Sequence, residues 1–148
     1  MVTASGAGGY LLDKSASARW GIPAVGAVLD RLVSSRLLYT CPVVELEILY
    51  SMRSPREYVA TRKDRVTTYR WADTTSEAGR LAAKWQAELA TTSHHRAAGL
   101  ADLLIAATAK VSGLSVLHYD RDYRLLDEKI QGGVPHQFVV PEGSLEAA

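Results

Sequence analysis

Short apolar runs alternate with longer segments whose apolar residues recur at helical spacing along most of this chain. The short runs have the length and composition of buried strands, and they predict strands at 10–13, 37–40, 115–118 and 137–140. The longer segments predict helices that begin at Pro23 and Thr74 or span 43–52, 101–112 and 123–129. Strands that alternate with helices predict an α/β fold, in which helices cover both faces of a mostly parallel sheet.

Local signals indicate where several helices begin or end. Ser15 predicts the cap of a short helix after the first strand. The spacing of Thr74 and Glu77 is typical of a capping box. Gly113 predicts the end of the helix over 101–112, because glycine readily adopts the left-handed conformation that follows helix ends.

The length of 148 residues fits one domain with a sizeable core. We expect a flexible lead-in over 1–9, where Gly and Ser dominate, a single domain over 10–141, and a frayed tail over 142–148. Hydrophobic residues at 47% and charged residues at 22% are globular values. The formal net charge of +1 excludes nucleic-acid binding by bulk basicity but leaves room for a local basic patch.

Cysteine content and apolar run lengths predict a location in the cytoplasm. Cys41 is the single cysteine, so an intrachain disulfide and a cysteine-based zinc site are excluded, and a reducing compartment is favoured. The first residues lack the features of a secretory signal. No apolar run reaches the roughly 20 residues that cross a bilayer, so we expect no membrane association.

Four acidic residues are set against apolar elements, namely Asp13, Glu47, Asp102 and Asp120. A buried carboxylate is costly unless it is paired, protonated or bound to a metal. Asp13 and Asp120 follow predicted strands, and ligands of parallel sheets bind beyond the carboxyl ends of the strands. Asp102 shares a helix face with Ile105 and Ala109, which turns it inward; the alternative is an acid that complements the helix dipole.

Two of these assignments require a choice between neighbours. Glu45 and Glu47 point to nearly opposite sides of their helix, and Glu47 shares its stripe with Val43, so Glu47 is predicted to face the site and Glu45 to face solvent. A surface salt bridge is the alternative for Glu47 and the favoured role for Glu45. Asp120 is preferred over Asp122 because it is nearer to the strand end; Asp122 either caps the next helix or binds metal through water.

Carboxylates without a histidine or cysteine partner form a hard, all-oxygen site. Such a site suits Mg²⁺ or Mn²⁺ and disfavours zinc. A cation of this kind activates water for attack on a phosphodiester, so no protein nucleophile is needed. Ser15 is a candidate for a supporting hydrogen bond to these ligands, although helix capping explains it equally well.

Four motifs then carry a resemblance to a known family. Leu-Leu-Asp-Lys-Ser, Leu-Glu-Ile-Leu-Tyr-Ser, Ala-Asp-Leu-Leu-Ile-Ala-Ala and His-Tyr-Asp-Arg-Asp-Tyr, in this order, resemble those of PIN-domain ribonucleases, and most closely the VapC toxins of bacterial toxin–antitoxin pairs. The resemblance runs from about Tyr10 to Val140. It implies a three-layer α/β/α fold. It also implies metal-binding, catalytic roles for Asp13, Glu47, Asp102 and Asp120, with Asp122 as an auxiliary ligand.

The resemblance also bears on the choice of glutamate. The family's Glu is commonly followed four residues later by a small residue, and Ser51 fills that place for Glu47 whereas Leu49 would fill it for Glu45. The family often has glycine there, so Ser51 is a departure. The resemblance to the family further implies Mg²⁺- or Mn²⁺-dependent cleavage of structured RNA, either tRNA or rRNA. It also implies a cognate VapB-like antitoxin and a homodimer.

Candidate contacts to RNA lie in two places. Residues 53–70 include six basic and two acidic side chains, which could contact phosphates or form a solvated helix face. His95 and Arg96 precede the helix of Asp102 and could line the cleft; lone histidines are more often ordinary loop residues. His118 is predicted to pack at a strand end.

Two other functions compete with the toxin hypothesis. One is a PIN-like module that binds RNA or protein without cutting, and the other is a Mg²⁺-dependent phosphate-handling hydrolase such as a phosphatase. Metal affinity separates the first from the nuclease, and a comparison of RNA with small phosphomonoesters separates the second.

Overall fold

A five-stranded parallel sheet lies at the centre of the computed structural model, which describes residues 8–146. Its strands are β1 (Tyr10–Leu12), β2 (Leu38–Thr40), β3 (Arg70–Trp71), β4 (Ser115–His118) and β5 (His136–Phe138). The strand order is β3-β2-β1-β4-β5, and every pairing between neighbours is parallel. In this order the winding reverses between β1 and β4, so their carboxyl ends flank the crevice where doubly wound sheets bind ligands.

The helices cover both faces of this sheet. They are α1 (Lys14–Ser17), α2 (Pro23–Ser34), α3 (Pro42–Tyr50), α4 (Pro55–Thr68), α5 (Ser76–Ala90), α6 (Leu100–Ser112) and α7 (Arg121–Lys129). The strand β3 is absent from the predicted strands, since both of its residues are exposed and form no apolar run. The predicted α/β fold with its three layers is confirmed.

Side-chain alternation along the strands builds a core on each face. Leu11 and Val116 pack with the buried faces of α5 and α6. Tyr10, Leu12 and Leu117 point the other way and pack with the apolar stripe of α2. Because neighbouring residues of a strand face opposite sides, the short central strands are apolar throughout and serve both cores.

The helix ends test the predicted caps. Gly113 ends α6 in the left-handed conformation, with φ of 71°, as predicted. The cap of α5 is Thr75, whose side chain accepts a hydrogen bond from the Ala78 N–H, so the prediction of Thr74 is wrong by one residue. Thr74 instead hydrogen-bonds to the buried Thr108 at 3.0 Å.

The two ends of the described chain pack onto the domain. The Gly9 carbonyl accepts a hydrogen bond from the Ser115 N–H at 3.3 Å, which adds a ladder bond beside β1; the rest of the predicted lead-in, residues 1–7, lies outside the described residues. A frayed tail was expected from residue 142, but Leu145 and Glu146 hydrogen-bond to the Tyr119 hydroxyl. Within residues 8–146, none of the helices combines the length and the apolar character that a membrane span requires.

Candidate metal centre

Asp13 lies at the carboxyl end of β1 and is buried. One of its carboxylate oxygens accepts hydrogen bonds from the Ser15 N–H at 3.0 Å and the Ser15 hydroxyl at 2.6 Å. Asp13 is therefore the cap of α1, and the prediction of Ser15 as the cap is wrong, because the acid sits two residues before it. The Ser15 hydroxyl oxygen accepts a hydrogen bond from the Tyr119 N–H at 2.9 Å, so it links the ends of β1 and β4.

Tyr123 connects two of the acids from within the core. Its hydroxyl donates to Asp13 Oδ1 at 2.8 Å and lies 3.3 Å from Asp102 Oδ1. Burial, followed by the nearby charges of Asp13 and Asp102, raises the pKa of Tyr123 well above its usual value. The hydroxyl thus stays protonated and orients both carboxylates. The sequence interpretation missed this role, since Tyr123 was read as a helix residue alone.

Asp102 occupies the first turn of α6 and is partly buried. Burial raises its pKa from 3.8 to about 7, and the charges of Asp13 and Asp120 add to the effect, followed by those of Asp122 and Glu47. An acid that merely complemented the helix dipole would be favoured in its charged form. Asp102 instead experiences the repulsion of a carboxylate cluster.

Asp120 and Asp122 lie where β4 passes into α7. Asp120 Oδ1 accepts a hydrogen bond from the Asp122 N–H at 2.9 Å, so Asp120 caps α7 and the alternative of a capping Asp122 is wrong. One carboxylate oxygen from each of Asp102, Asp120 and Asp122 lies within 4.8 Å of the other two. Burial and the charge of Asp120 raise the pKa of Asp122, which the Arg121 charge partly offsets.

Glu47 faces the same cleft as the aspartates. Asp13, Glu47, Asp102 and Asp120 all line a cavity of about 300 Å³, with Lys14 and Arg19 at its edge. Burial and the charge of Asp13 raise the pKa of Glu47, whereas Lys14 lowers it and Asp120 raises it further. The structure thus brings the four predicted acids to one cleft.

Glu45 does not face solvent, which corrects the prediction for this residue. Its carboxylate accepts hydrogen bonds from Arg65 Nε at 2.6 Å and from the Thr40 hydroxyl at 2.8 Å. The side chains of Glu45 and Arg65 are 14% and 10% exposed. This ion pair ties α4 to α3 and the end of β2, and the predicted phosphate contact of Arg65 is replaced by a structural role.

A pair of histidines holds the backbone at Asp120. His118 Nδ1 accepts a hydrogen bond from the Asp120 N–H at 3.0 Å, so its Nε2 carries the proton and donates to His136 Nδ1 at 2.8 Å. Burial and the neighbouring His136 lower the pKa of His118 to about 3, so the ring stays neutral. His118 is fully buried at the end of β4, which confirms the prediction of a packed strand-end residue.

The predicted RNA contacts outside the cleft do not join it. His95 and Arg96 are exposed on the segment between α5 and α6, and neither lines the cavity that holds the acids. The remaining basic residues of 53–70 are exposed on or next to α4. Their contact with RNA stays a prediction.

The donor chemistry of the cleft fits a divalent cation. Every carboxylate oxygen in the group of Asp102, Asp120 and Asp122 is a hard ligand, and no histidine or cysteine joins that group within residues 8–146. Mg²⁺ and Mn²⁺ prefer such oxygens. Burial raises the pKa of Asp102 and repulsion from the neighbouring acids raises it further, and a cation would relieve that repulsion.

The raised pKa of Asp102 predicts how stability depends on pH when metal is removed. The folded protein keeps the Asp102 proton up to about pH 7, whereas the ordinary pKa is 3.8. The folded state therefore binds more protons between these values, and the stability contributed by protonated Asp102 is lost as pH rises through the folded pKa. In EDTA, the free energy of unfolding of wild type relative to Asp102→Asn should fall between about pH 4 and pH 7 and level off above that range. A difference that stays constant with pH in urea titrations would contradict this.

This fold and this site define a class of protein. The family model described as PIN domain matches residues 10–129. The chain belongs to the PIN-domain family.

Relatives place it within the VapC group of that family. Ribonuclease VapC21 of Mycobacterium tuberculosis is 35% identical over 114 residues, which cover 77% of this chain and 83% of the relative. Ribonuclease VapC51 of the same organism is 33% identical over 137 residues, with 93% and 97% covered.

Solved structures share the fold. The DNA-bound VapBC of Salmonella typhimurium superposes with a TM-score of 0.70 at 17% identity, covering 89% of this chain and 98% of that chain. VapBC2 of Rickettsia felis, bound to a DNA fragment from its promoter, gives a TM-score of 0.69 at 13% identity, with 87% and 97% covered. At these identities the likeness shows the fold alone.

Proposed function

We propose that this protein is a metal-dependent endoribonuclease of the toxin type, which cleaves structured RNA such as tRNA or rRNA with Mg²⁺ or Mn²⁺. The observation that carries the proposal is the convergence of Asp102, Asp120 and Asp122 within 4.8 Å, in the cleft that Asp13 and Glu47 also line. Relatives at about one-third identity are named ribonucleases, which supports RNA as the substrate.

The residues of the cleft have separable tasks in this proposal. Asp102, Asp120 and Asp122 would hold the cation, and Asp13 and Glu47 would complete the acidic ring around it. When bound, such a cation neutralises phosphodiester charge and lowers the pKa of the water that attacks. Tyr123 is buried, keeps its proton and restrains the carboxylates of Asp13 and Asp102. Lys14, exposed at the rim, adds a positive charge for the RNA backbone.

A protein partner is part of the same proposal. The solved relatives are VapBC complexes, and we infer a VapB-like antitoxin for this chain. Large apolar side chains lie exposed on and beside α3 and α4, among them Leu46 at 71%, Val59 at 66% and Val66 at 71%. Exposed apolar surface of this kind marks protein interfaces. The homodimer and the location in the cytoplasm stay predictions.

Removal of metal gives the direct test of the proposed activity. Purified protein incubated with total bacterial RNA should generate new 5′ ends in Mg²⁺, generate none in EDTA, and recover when Mg²⁺ is added in excess. The reason is that the cleft gathers repelling carboxylates, and a divalent cation held by them would supply the activated water that attacks the phosphodiester. Cleavage that persists in EDTA would contradict metal dependence. Binding of RNA without new 5′ ends would favour a non-catalytic module, and turnover of small phosphomonoesters in place of RNA would favour a phosphatase.

A further inference from the structure

A second cavity adjoins the acidic cleft on the side of α7. Its volume is about 490 Å³, within the range of about 300–1,000 Å³ typical of ligand sites. It is lined by Arg19, Tyr119, Asp120, Arg121, Phe138 and the turn at 142–146. Arg19 and Asp120 also line the acidic cleft, so the two cavities are neighbours. We call this second cavity the arginine pocket.

Arg19 stands at the junction of the two cavities in a fixed orientation. Its Nη1 donates a hydrogen bond to the Ser15 carbonyl at 2.6 Å. The guanidinium carbon lies 5.0 Å from the centre of the Tyr119 ring, at a distance typical of a cation–π contact. A guanidinium has five N–H donors, and one hydrogen bond to protein leaves the others for a ligand.

The tail of the chain holds Tyr119 beneath Arg19. The Tyr119 hydroxyl donates to the Glu146 carboxylate at 2.5 Å and accepts from the Leu145 N–H at 3.1 Å. Tyr119 is 7% exposed, so its ring is a rigid support rather than a stacking surface for a base. The docked tail thus keeps the guanidinium of Arg19 in place beside the acids.

Arg121, which follows Asp120 in the chain, supplies a second guanidinium to the lining of the arginine pocket. It is the first residue of α7, is exposed, and forms no salt bridge within residues 8–146. Three carboxylates also line the pocket: Glu142 pairs with Arg124 at 3.0 Å, Glu146 accepts a hydrogen bond from Tyr119, and Asp120 belongs to the acidic cleft. Arg19 and Arg121 are the two cationic side chains in the lining, and they are the candidate partners of an anion.

We propose that Arg19 and Arg121 together bind the RNA phosphate that neighbours the cleaved phosphodiester. The inference rests on the proposed nuclease function and names two contacts that set how RNA lies across the cleft. A phosphate suits the site because guanidinium groups bind its oxygens through several charge-assisted hydrogen bonds. Bound there, the neighbouring phosphate would place the next phosphate over the acids of the adjoining cleft.

The test uses Arg19→Gln and Arg121→Gln with Arg80→Gln as the matched control. Arg80 is exposed on α5, so its replacement removes the same charge away from both cavities. The probe is a short synthetic RNA that keeps the folded structure around one cleavage position, mapped beforehand from 5′ ends made by wild-type protein. Variants of this RNA carry a neutral methylphosphonate at one phosphate on either side of that position.

We expect each arginine substitution to lower kcat/KM about ten-fold or more, as for a lost charged hydrogen bond, with Arg80→Gln near wild type. A methylphosphonate on one side of the cleavage position should lower the kcat/KM of wild type by a similar factor. The same methylphosphonate should have little further effect on the kcat/KM of Arg19→Gln or Arg121→Gln. The thermal midpoint of each variant reports on folding, and the exposed Arg121 tests the site even if Arg19→Gln is unstable.

Two other outcomes separate this inference from the function on which it rests. If wild type cleaves the RNA and both arginine variants match Arg80→Gln, or methylphosphonates affect all variants equally, the arginine pocket is not a phosphate site and the nuclease proposal stands. If wild type cleaves no RNA in Mg²⁺ at all, both proposals are overturned together.

Discussion

Replacing Asp102 with asparagine should lower RNA cleavage on the order of 10³-fold, since a bound cation supplies several kcal/mol of transition-state stabilisation. Asp102 contributes one of the three oxygens that converge within 4.8 Å. The substitution keeps the shape of the side chain and removes one charge from a crowded cluster. The protein should therefore stay folded, and in EDTA near pH 8 it should unfold at higher urea concentration than wild type. Initial rates on a labelled RNA in excess Mg²⁺ measure the first effect.

Asp64→Asn is the matched control for this prediction. Asp64 is an exposed carboxylate on α4, away from the acidic cleft, so the same chemical change there should leave cleavage unaltered. Activity of Asp102→Asn within a few-fold of Asp64→Asn, with both proteins folded, would remove Asp102 from the site.

The two neighbouring glutamates should respond in opposite ways, and this is the second large effect. Glu45→Gln leaves the Arg65 guanidinium without its counter-charge in a mostly buried setting, and the free energy of unfolding should fall by about 3 kcal/mol. Glu47→Gln should leave stability unchanged or raised in EDTA, because repulsion and burial already disfavour its charge. Its cleavage rate should fall by about 10- to 100-fold or more.

Urea unfolding and cleavage rates, measured on the same preparations of each variant, test these opposite effects on stability and activity. Each glutamate serves as the control for the other, since the substitutions are identical and only two residues apart. A loss of activity in folded Glu45→Gln, together with full activity in Glu47→Gln, would exchange the two assignments.

Much of the fold follows from local pattern. The predicted bounds of β1, β2, β4 and β5 agree with the structure to within two residues, because a strand buried on both faces must be apolar throughout. The left-handed conformation at Gly113 could be read from one residue. The strand β3 could not, because its two residues are exposed and are specified only by pairing with β2.

Part of the candidate site could also be predicted from local pattern. Asp13 and Asp120 stand at strand ends, and the parallel order of β1 and β4 brings such ends together. Their role as helix caps was missed, although both residues also line the cleft. Asp120 accepts the capping hydrogen bond through one oxygen, Oδ1, whereas both oxygens of Asp13 accept hydrogen bonds, from Ser15 and Tyr123.

Contacts between distant residues account for what the sequence could not predict. Arg65, twenty residues after Glu45, determines that this acid is buried, and helical phase alone cannot reveal such a partner. Tyr123 reaches Asp13 across 110 positions. The docked tail depends on Tyr119 in the same way. In each case the chain fold, and not the local pattern, brings the partners together.

Metal occupancy and RNA cleavage, followed in one titration, test the central claim most directly. Mn²⁺ is added to metal-free protein with labelled RNA present, bound Mn²⁺ is read from its electron paramagnetic resonance signal, and initial cleavage rates are taken at each point. We predict that cleavage is absent without Mn²⁺ and rises in proportion to occupancy of a site that Asp102→Asn weakens and Asp64→Asn leaves intact. Cleavage that proceeds at zero occupancy, or a site that fills equally well in Asp102→Asn, would contradict the assignment of the acidic cleft as the metal centre of a nuclease.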